Sequence, residues 1–589
     1  MTTISYRIDV ADVHAHQYRV RLTVPRPAAR QRLSLPAWIP GSYLVREFAR
    51  HLSRLQAHDG PRPLPLTQID KATWEVDCGE GLAELTVAYQ VYAFDTSVRS
   101  AFLDARRGFF NGTSLCLRVH GRESEAHGLS LAGLPADWQV ATALVPAATS
   151  GSAHAFEAAD YDELVDHPVE MGDFWRGEFE AGGVVHEFVV AGALPDFDGA
   201  RLIEDTRRLC EAEIAFWHGP GGRPHFGRYV FLLNAVEDSY GGLEHRASTA
   251  LIASRRDLLP LGRTELSDGY ATLLGLIAHE YFHTWNVKRL RPAEFARYDY
   301  TQENYTTLLW FFEGFTSYYD DLFLLRTGLI DGGRYLKLLS KTVSGVLGLP
   351  GRQVQSVAQA SFDAWVKYYR SDENTPNATI SYYTKGSLVA LCLDLTLRAS
   401  GRGTLDDVMR GLWQRSSGGP ISEADIAEVL AQVAGRPMDA ELADWVHGTG
   451  ELPLRSLLLD AAGVGWTESP ATMAQRLGVR VSESALTGIK VGSVLQGGAA
   501  EAAGLSAGDE LLAIDGWRIR RLDDAQRVVP ASGRVQLLVV RDQRVLSLPL
   551  LLAAPGGVGE ARTVTLAALP ASDTPEAAAA LRQAWWQGR

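Results

Sequence analysis

His279, Glu280 and His283 form an H-E-x-x-H pattern, the one combination in this chain whose residue types and spacing spell out a reaction. Histidines four apart lie on the same helical face, so both imidazoles can reach a single ion. Glu280 then falls beside that ion, where a carboxylate can take a proton from water activated there. The chemistry would be that of a zinc hydrolase. By itself the pattern is short, and most buried histidines are merely satisfied core residues. A second feature strengthens it. In the run 309–320 a lone carboxylate, Glu313, stands among aromatic residues. Burying it is costly unless something positive meets it, which makes it the expected third ligand. Asp320, two helical turns further on the same face, is expected to hold the far nitrogen of one ligand histidine and so fix its tautomer.

Elements must position these groups. The residues before the histidines, 270–278, are apolar and free of proline, as in a helix buried on most sides. From about 191 the pattern gives an amphipathic helix beginning at Asp198 and then a buried strand at 229–233. The word Tyr240-Gly241-Gly242-Leu243-Glu244-His245-Arg246 follows. Gly241 and Gly242 would let backbone approach a ligand closely, with Glu244 facing it; read alone, the word is a tight turn with a surface glutamate. Residues 321–455 read as helical, with amphipathic stretches at 336–346, 388–398 and 423–434. Between the first two lies Ser381-Tyr382-Tyr383-Thr384-Lys385-Gly386, whose paired tyrosines would ordinarily be packing.

The words H-E-Y-F-H-T-W-N-V-K-R-x-R-P and W-F-x-E-G-F-T-S-Y-Y resemble the glycyl aminopeptidase family of zinc metallopeptidases, relatives of aminopeptidase N and leukotriene-hydrolase-type enzymes. The resemblance implies one zinc ion per chain on His279, His283 and Glu313, with Glu280 as general base. It implies that Glu244, with Gly241 and Gly242, holds the substrate's free amine. Tyr383 aligns with the tyrosine that donates to the oxyanion, with Tyr382 as the alternative one position away. The substrates would be peptides with a free N-terminus, trimmed of glycine or alanine. A thermolysin-like endopeptidase is the second reading, which Glu244 opposes by offering a partner to a free amine. A PDZ adaptor with a retired peptidase domain is the third, opposed by the intact site words.

The chain of 589 residues is too long for one core. Its net charge of −13, with no long basic block, argues against a nucleic-acid partner. The short basic stretch Lys288-Arg289-Leu290-Arg291 reads as cations answering the dipole of the preceding helix. Cys78, Cys116, Cys210 and Cys392 lie far apart, so free buried thiols are expected. The first residues carry charges where a signal peptide needs an apolar core, and no stretch reaches the ~18 apolar residues of a membrane span. The expected location is the cytoplasm, or the periplasm if a leader has been removed, with no membrane partner.

The expected fold class is multidomain α+β. Residues 1–190 form a β-rich domain, with period-2 alternation at 18–24 and 83–92. Here the resemblance, carried by P-x-W-x-P-G-S-Y and by 160–166, implies a β-sandwich-like domain. His14 and His16 alternate as on a strand and read as surface histidines rather than a metal pair. Residues 191–455 form the thermolysin-like α/β and helical zinc peptidase domain. Residues 468–555, through the word A-G-L-x-x-G-D-x-L-x-x-I-D-G, resemble a bacterial-type PDZ domain. Such a module binds an extended segment or peptide C-terminus at a sheet edge, with 477–481 the expected strand beside the groove. Residues 556–589 form a tail with a short helix at 575–586.

Overall fold

In the computed structural model, which describes residues 3–148, 154–554 and 562–589, the chain forms two compact units: Met1–Tyr305 with Ser416–Pro420, and Thr306–Arg415 with Ile421–Arg589. The first opens with the expected β-rich domain. An eight-stranded sheet and two four-stranded sheets enclose one apolar core, and alternation in Gln17–Pro25 and Glu84–Tyr92 turns Tyr18, Val20, Leu22, Leu85, Val87 and Tyr89 inward. His14 and His16 lie in the turn after the first strand, not on a strand, and the His16 ring bonds the Leu103 carbonyl at 2.6 Å.

The sheet that follows begins at Trp175, before residue 190. Trp175–Ala181 and Val184–Ala191 pair with each other, and the second of these pairs parallel with Arg228–Val236. Val184–Ala191 is buried at every position but Val185, as in a strand covered on both faces, with His186 and Glu187 among the buried residues. The five-stranded order then runs through Ser248–Ser254 to Tyr240–Glu244, which is therefore an edge strand. The helix Gly199–His218 begins at the Asp198 cap. The metal helix Asp268–Phe282 begins at Ser267, whose hydroxyl accepts from the Tyr270 amide.

The second unit holds the helices, the PDZ domain and the tail. Helix Gly314–Arg326 packs on Thr384–Ser400, and two glycines set how closely: a Cβ on Gly314 would meet the Gly386 Cα at 2.6 Å. The PDZ sheet runs Val479–Ser484, Gly488–Val494, Glu510–Ile514, Gly533–Arg541 and Arg544–Leu552, over its own core. Val479–Ser484 lies at the sheet edge, where the expected groove strand was placed. The side-chain amide of Asn377 donates to the Val494 carbonyl and accepts from the Gln496 amide, each at 2.9 Å.

The expected tail carries its helix and is tied into the second unit. Thr563–Ala568 pairs antiparallel with Val464–Ser469, the strand that precedes the PDZ domain, so the PDZ domain is inserted between two strands of one ribbon. Ser340 and Ser344 of helix Gly332–Leu347 accept from the Leu566 and Val564 amides, each at 2.9 Å. Helix Glu576–Gln587 then buries Trp585 completely, and its indole N–H donates to the Tyr318 hydroxyl at 2.8 Å. Composition did not show this because the helix is mostly alanine and polar, with one anchor. Residues 555–561, where the expected tail begins, lie outside the described residues. All four cysteines are buried free thiols. Among the described residues no helix is long and apolar enough to cross a membrane.

Candidate metallopeptidase site

The metal helix delivers His279 and His283 from its last turn, with their Nε2 atoms 3.1 Å apart. His283 Nδ1 stands 2.7 Å from the Asn286 carbonyl, an oxygen that can only accept. The proton therefore sits on Nδ1, and Nε2 keeps its lone pair for an ion. Thus the far nitrogen of His283 is held by backbone and not by Asp320.

His279, His283 and Glu313 each offer a ligand atom within 4.8 Å of the others. Two nitrogens bound to one tetrahedral zinc at about 2.0–2.1 Å would stand roughly 3.3 Å apart. The observed 3.1 Å fits that spacing. Two imidazoles, one of them presenting an Nε2 lone pair, together with a carboxylate are a donor set that suits zinc, so the residues fit that ion. Glu313 is 2% exposed and joins the short helix Leu309–Phe312 to helix Gly314–Arg326.

Glu280 is 5% exposed, and the edge strand passes directly against it: a Cβ on Gly242 would collide with its carboxylate. The double glycine of the word is thus needed at Gly242 for close approach. Two residues on, Glu244 is 4% exposed. Gly41, at φ +93°, lies on its far side, where a Cβ would meet both carboxylate oxygens at 2.5 Å. This gives the P-x-W-x-P-G-S-Y word a role at the site. Glu244 is not the surface residue of the plain-turn reading.

Tyr383 starts helix Thr384–Ser400, and burial, then Glu313, then Tyr369, Tyr382 and Tyr368 push its phenol well above the usual range, so it remains a donor. Tyr382 is fully buried and stacks on Tyr383 at 4.8 Å. Sequence reasoning missed Tyr368, whose ring lies 5.0 Å from Tyr382 and 5.4 Å from Tyr383. No spacing signal links it to them.

Three family models match the chain: Peptidase M61 N-terminal domain over residues 5–173, M61 glycyl aminopeptidase over 272–389, and PDZ domain over 468–540. A crystal structure of an aminopeptidase N family protein from Idiomarina loihiensis is 37% identical, with a TM-score of 0.90, covering 99% of this chain and 100% of that one. The chain belongs to the M61 glycyl aminopeptidase family. It is therefore a metallopeptidase. A crystal structure of an M1 zinc metallopeptidase from Deinococcus radiodurans is 16% identical, with a TM-score of 0.46, covering 77% of this chain and 95% of that one. Comparison with curated proteins gives no match.

One reading of this M61 chain needs correcting. Lys288 does not serve the helix dipole: it is buried, with its Nζ 2.6 Å from Asp166. Burial pulls the ammonium down, but Asp166 and then other groups including Glu244 hold it above the usual lysine range. Burial likewise pushes Asp166 up, and Lys288, His245 and Arg246 outweigh it to hold the carboxyl well below its usual range. The chain reaches this pairing through Val287, at φ +126°, a strained conformation for a β-branched residue. Arg289 donates to the Thr284 and Arg246 carbonyls, at 2.7 and 3.1 Å.

Proposed function

We propose that this chain is a zinc aminopeptidase that removes glycine or alanine from the free N-terminus of peptides, with one zinc ion per chain on His279, His283 and Glu313. The observation that carries the reading is the convergence of those three residues, with an edge strand that sets Gly242 against Glu280 and ends at a buried Glu244. Zinc, when bound, supplies a Lewis acid that makes water a nucleophile near neutral pH. Glu280 takes the proton of the attacking water and returns it to the leaving amine. Tyr383, and not Tyr382, donates its O–H to the developing oxyanion, since Tyr382 is fully buried, hydroxyl included, whereas Tyr383 is partly open.

Glu244 receives the substrate ammonium through a charge-assisted hydrogen bond. Gly41 backs that carboxylate, which supports a cleft that ends at the amine and so an exopeptidase. The preference for glycine or alanine rests on the family. The PDZ domain takes a peptide C-terminus or extended segment at Val479–Ser484.

The test is kcat/KM on matched glycyl and acetyl-glycyl anilides. The wild type is expected to reject the blocked substrate, and Glu244→Ala to lose most activity on the free amine while narrowing the ratio. A blocked N-terminus forfeits this charge-assisted hydrogen bond, at a cost of about 1–3 kcal/mol. Efficient wild-type cleavage of the blocked substrate would contradict the aminopeptidase reading.

A further inference from the structure

One cation beside the candidate site has no anionic partner. Arg99, on the loop after strand Glu84–Tyr92, donates to the Gly242 carbonyl at 3.1 Å, and its guanidinium lies over Gly241. Its Nε is buried without a hydrogen-bond partner, and among the described residues no carboxylate pairs with it. A guanidinium with no carboxylate beside it favours an anionic ligand at its terminal nitrogens, which here stand over Gly241.

The loop that presents it is built for the purpose. The buried Asn111 side chain donates to the carbonyls of Val98 and Ser100, on either side of Arg99, at 2.9 and 3.3 Å. The Asn111 amide N–H donates to Ser100 as well. Backbone so pinned fixes where the long side chain starts and reduces the entropy lost when it binds.

Order along the edge strand identifies the ligand. Glu244 stands at one end, Gly242 lies against Glu280, and Arg99 covers Gly241 and Gly242. At about 3.3 Å per residue, two to three residues of strand span roughly 7–10 Å. The ends of an extended di- or tripeptide are separated by about the same distance. We propose that Arg99 binds the C-terminal carboxylate of short peptides, so that the site favours free di- and tripeptides over longer or C-terminally blocked chains. A guanidinium suits this task because its planar fork matches a carboxylate bidentately. The proposal rests on the aminopeptidase reading, with the amine at Glu244.

The experiment compares kcat/KM for Gly-Ala and Gly-Ala amide, with glycyl p-nitroanilide as a substrate that lacks any carboxylate. The wild type is expected to favour the free acid over the amide by about tenfold to a hundredfold. Arg99→Gln, which keeps a donor for Gly242 but loses the charge, brings that ratio to within about threefold of unity, chiefly through KM on the free acid. Arg99→Lys keeps the charge but not the fork and gives an intermediate ratio. Turnover of the anilide by both variants shows that they are folded. A wild type that cleaves the anilide but shows an acid-to-amide ratio near one overturns the carboxylate assignment alone, as does an unchanged ratio in Arg99→Gln. A wild type that cleaves none of the three overturns the aminopeptidase reading and this proposal together.

Discussion

The metal helix and the C-terminal tail make opposite demands on a reader of the sequence. In Asp268–Phe282 the chemistry lies within one turn, and its types and spacing announce it. In Glu576–Gln587 most residues are alanine or polar, yet Trp585 is completely buried against Tyr318. A reactive group needs near neighbours of defined chemistry, which local sequence records. A docking group needs only a hole to fill, and that hole is made by residues distant in the chain. Tyr318 itself donates to Asp394 at 2.6 Å, and Arg398 bonds both Asp394 and the Arg589 carbonyl, so the tail closes a buried polar network.

The largest expected effect follows from that contrast. Ending the chain at Gly463 removes the ribbon strand Thr563–Ala568 and Trp585 together. Loss of a buried tryptophan alone costs about 3–5 kcal/mol. Such a truncation is expected to lower the Tm of the second unit sharply and abolish activity. Excising only the PDZ insertion, with Ser469 joined to Arg562 by a short linker, is expected to leave hydrolysis of a glycyl anilide largely intact. An active, stable truncation would show the tail to be dispensable. An inactive but folded excision would instead show that the PDZ domain contributes to the site, through Asn377 or otherwise.

On the metal helix the expected losses are chemical rather than structural. Glu280→Gln keeps size but removes the base, and turnover should fall by about 10³- to 10⁴-fold with zinc content unchanged. Near-normal turnover would place water activation on another group. Smaller again is Tyr383→Phe, with kcat reduced by about 100-fold and KM little changed, corresponding to a donor worth ~2.7 kcal/mol. Should Tyr382→Phe show that behaviour and Tyr383→Phe not, the two tyrosines exchange roles.

Legibility follows the same division through the rest of the molecule. The β-rich domain was readable because alternation in 18–24 and 83–92 reports a buried face directly. The helical cluster was readable from Glu313, since an isolated acid in an aromatic run requires a partner. The start of the catalytic sheet was not, because Val184–Ala191 carries no mark that assigns it to the domain after it rather than the one before. Lys288 was misread because its partner Asp166 lies far back in the chain, and a cation after a helix has a ready local explanation. Gly41 was visible only as part of a word that carried the resemblance, and Arg99 gave no signal: what they touch, Glu244 and Gly242, is brought to them only by the fold.

The central claim is that His279, His283 and Glu313 together hold one catalytic zinc ion, and zinc content measured beside activity in the wild type and Glu313→Ala tests it most directly. The expected result is about one zinc per wild-type chain, with metal and glycyl anilide hydrolysis lost together in the folded variant. Stoichiometric zinc retained by Glu313→Ala at wild-type affinity would contradict it.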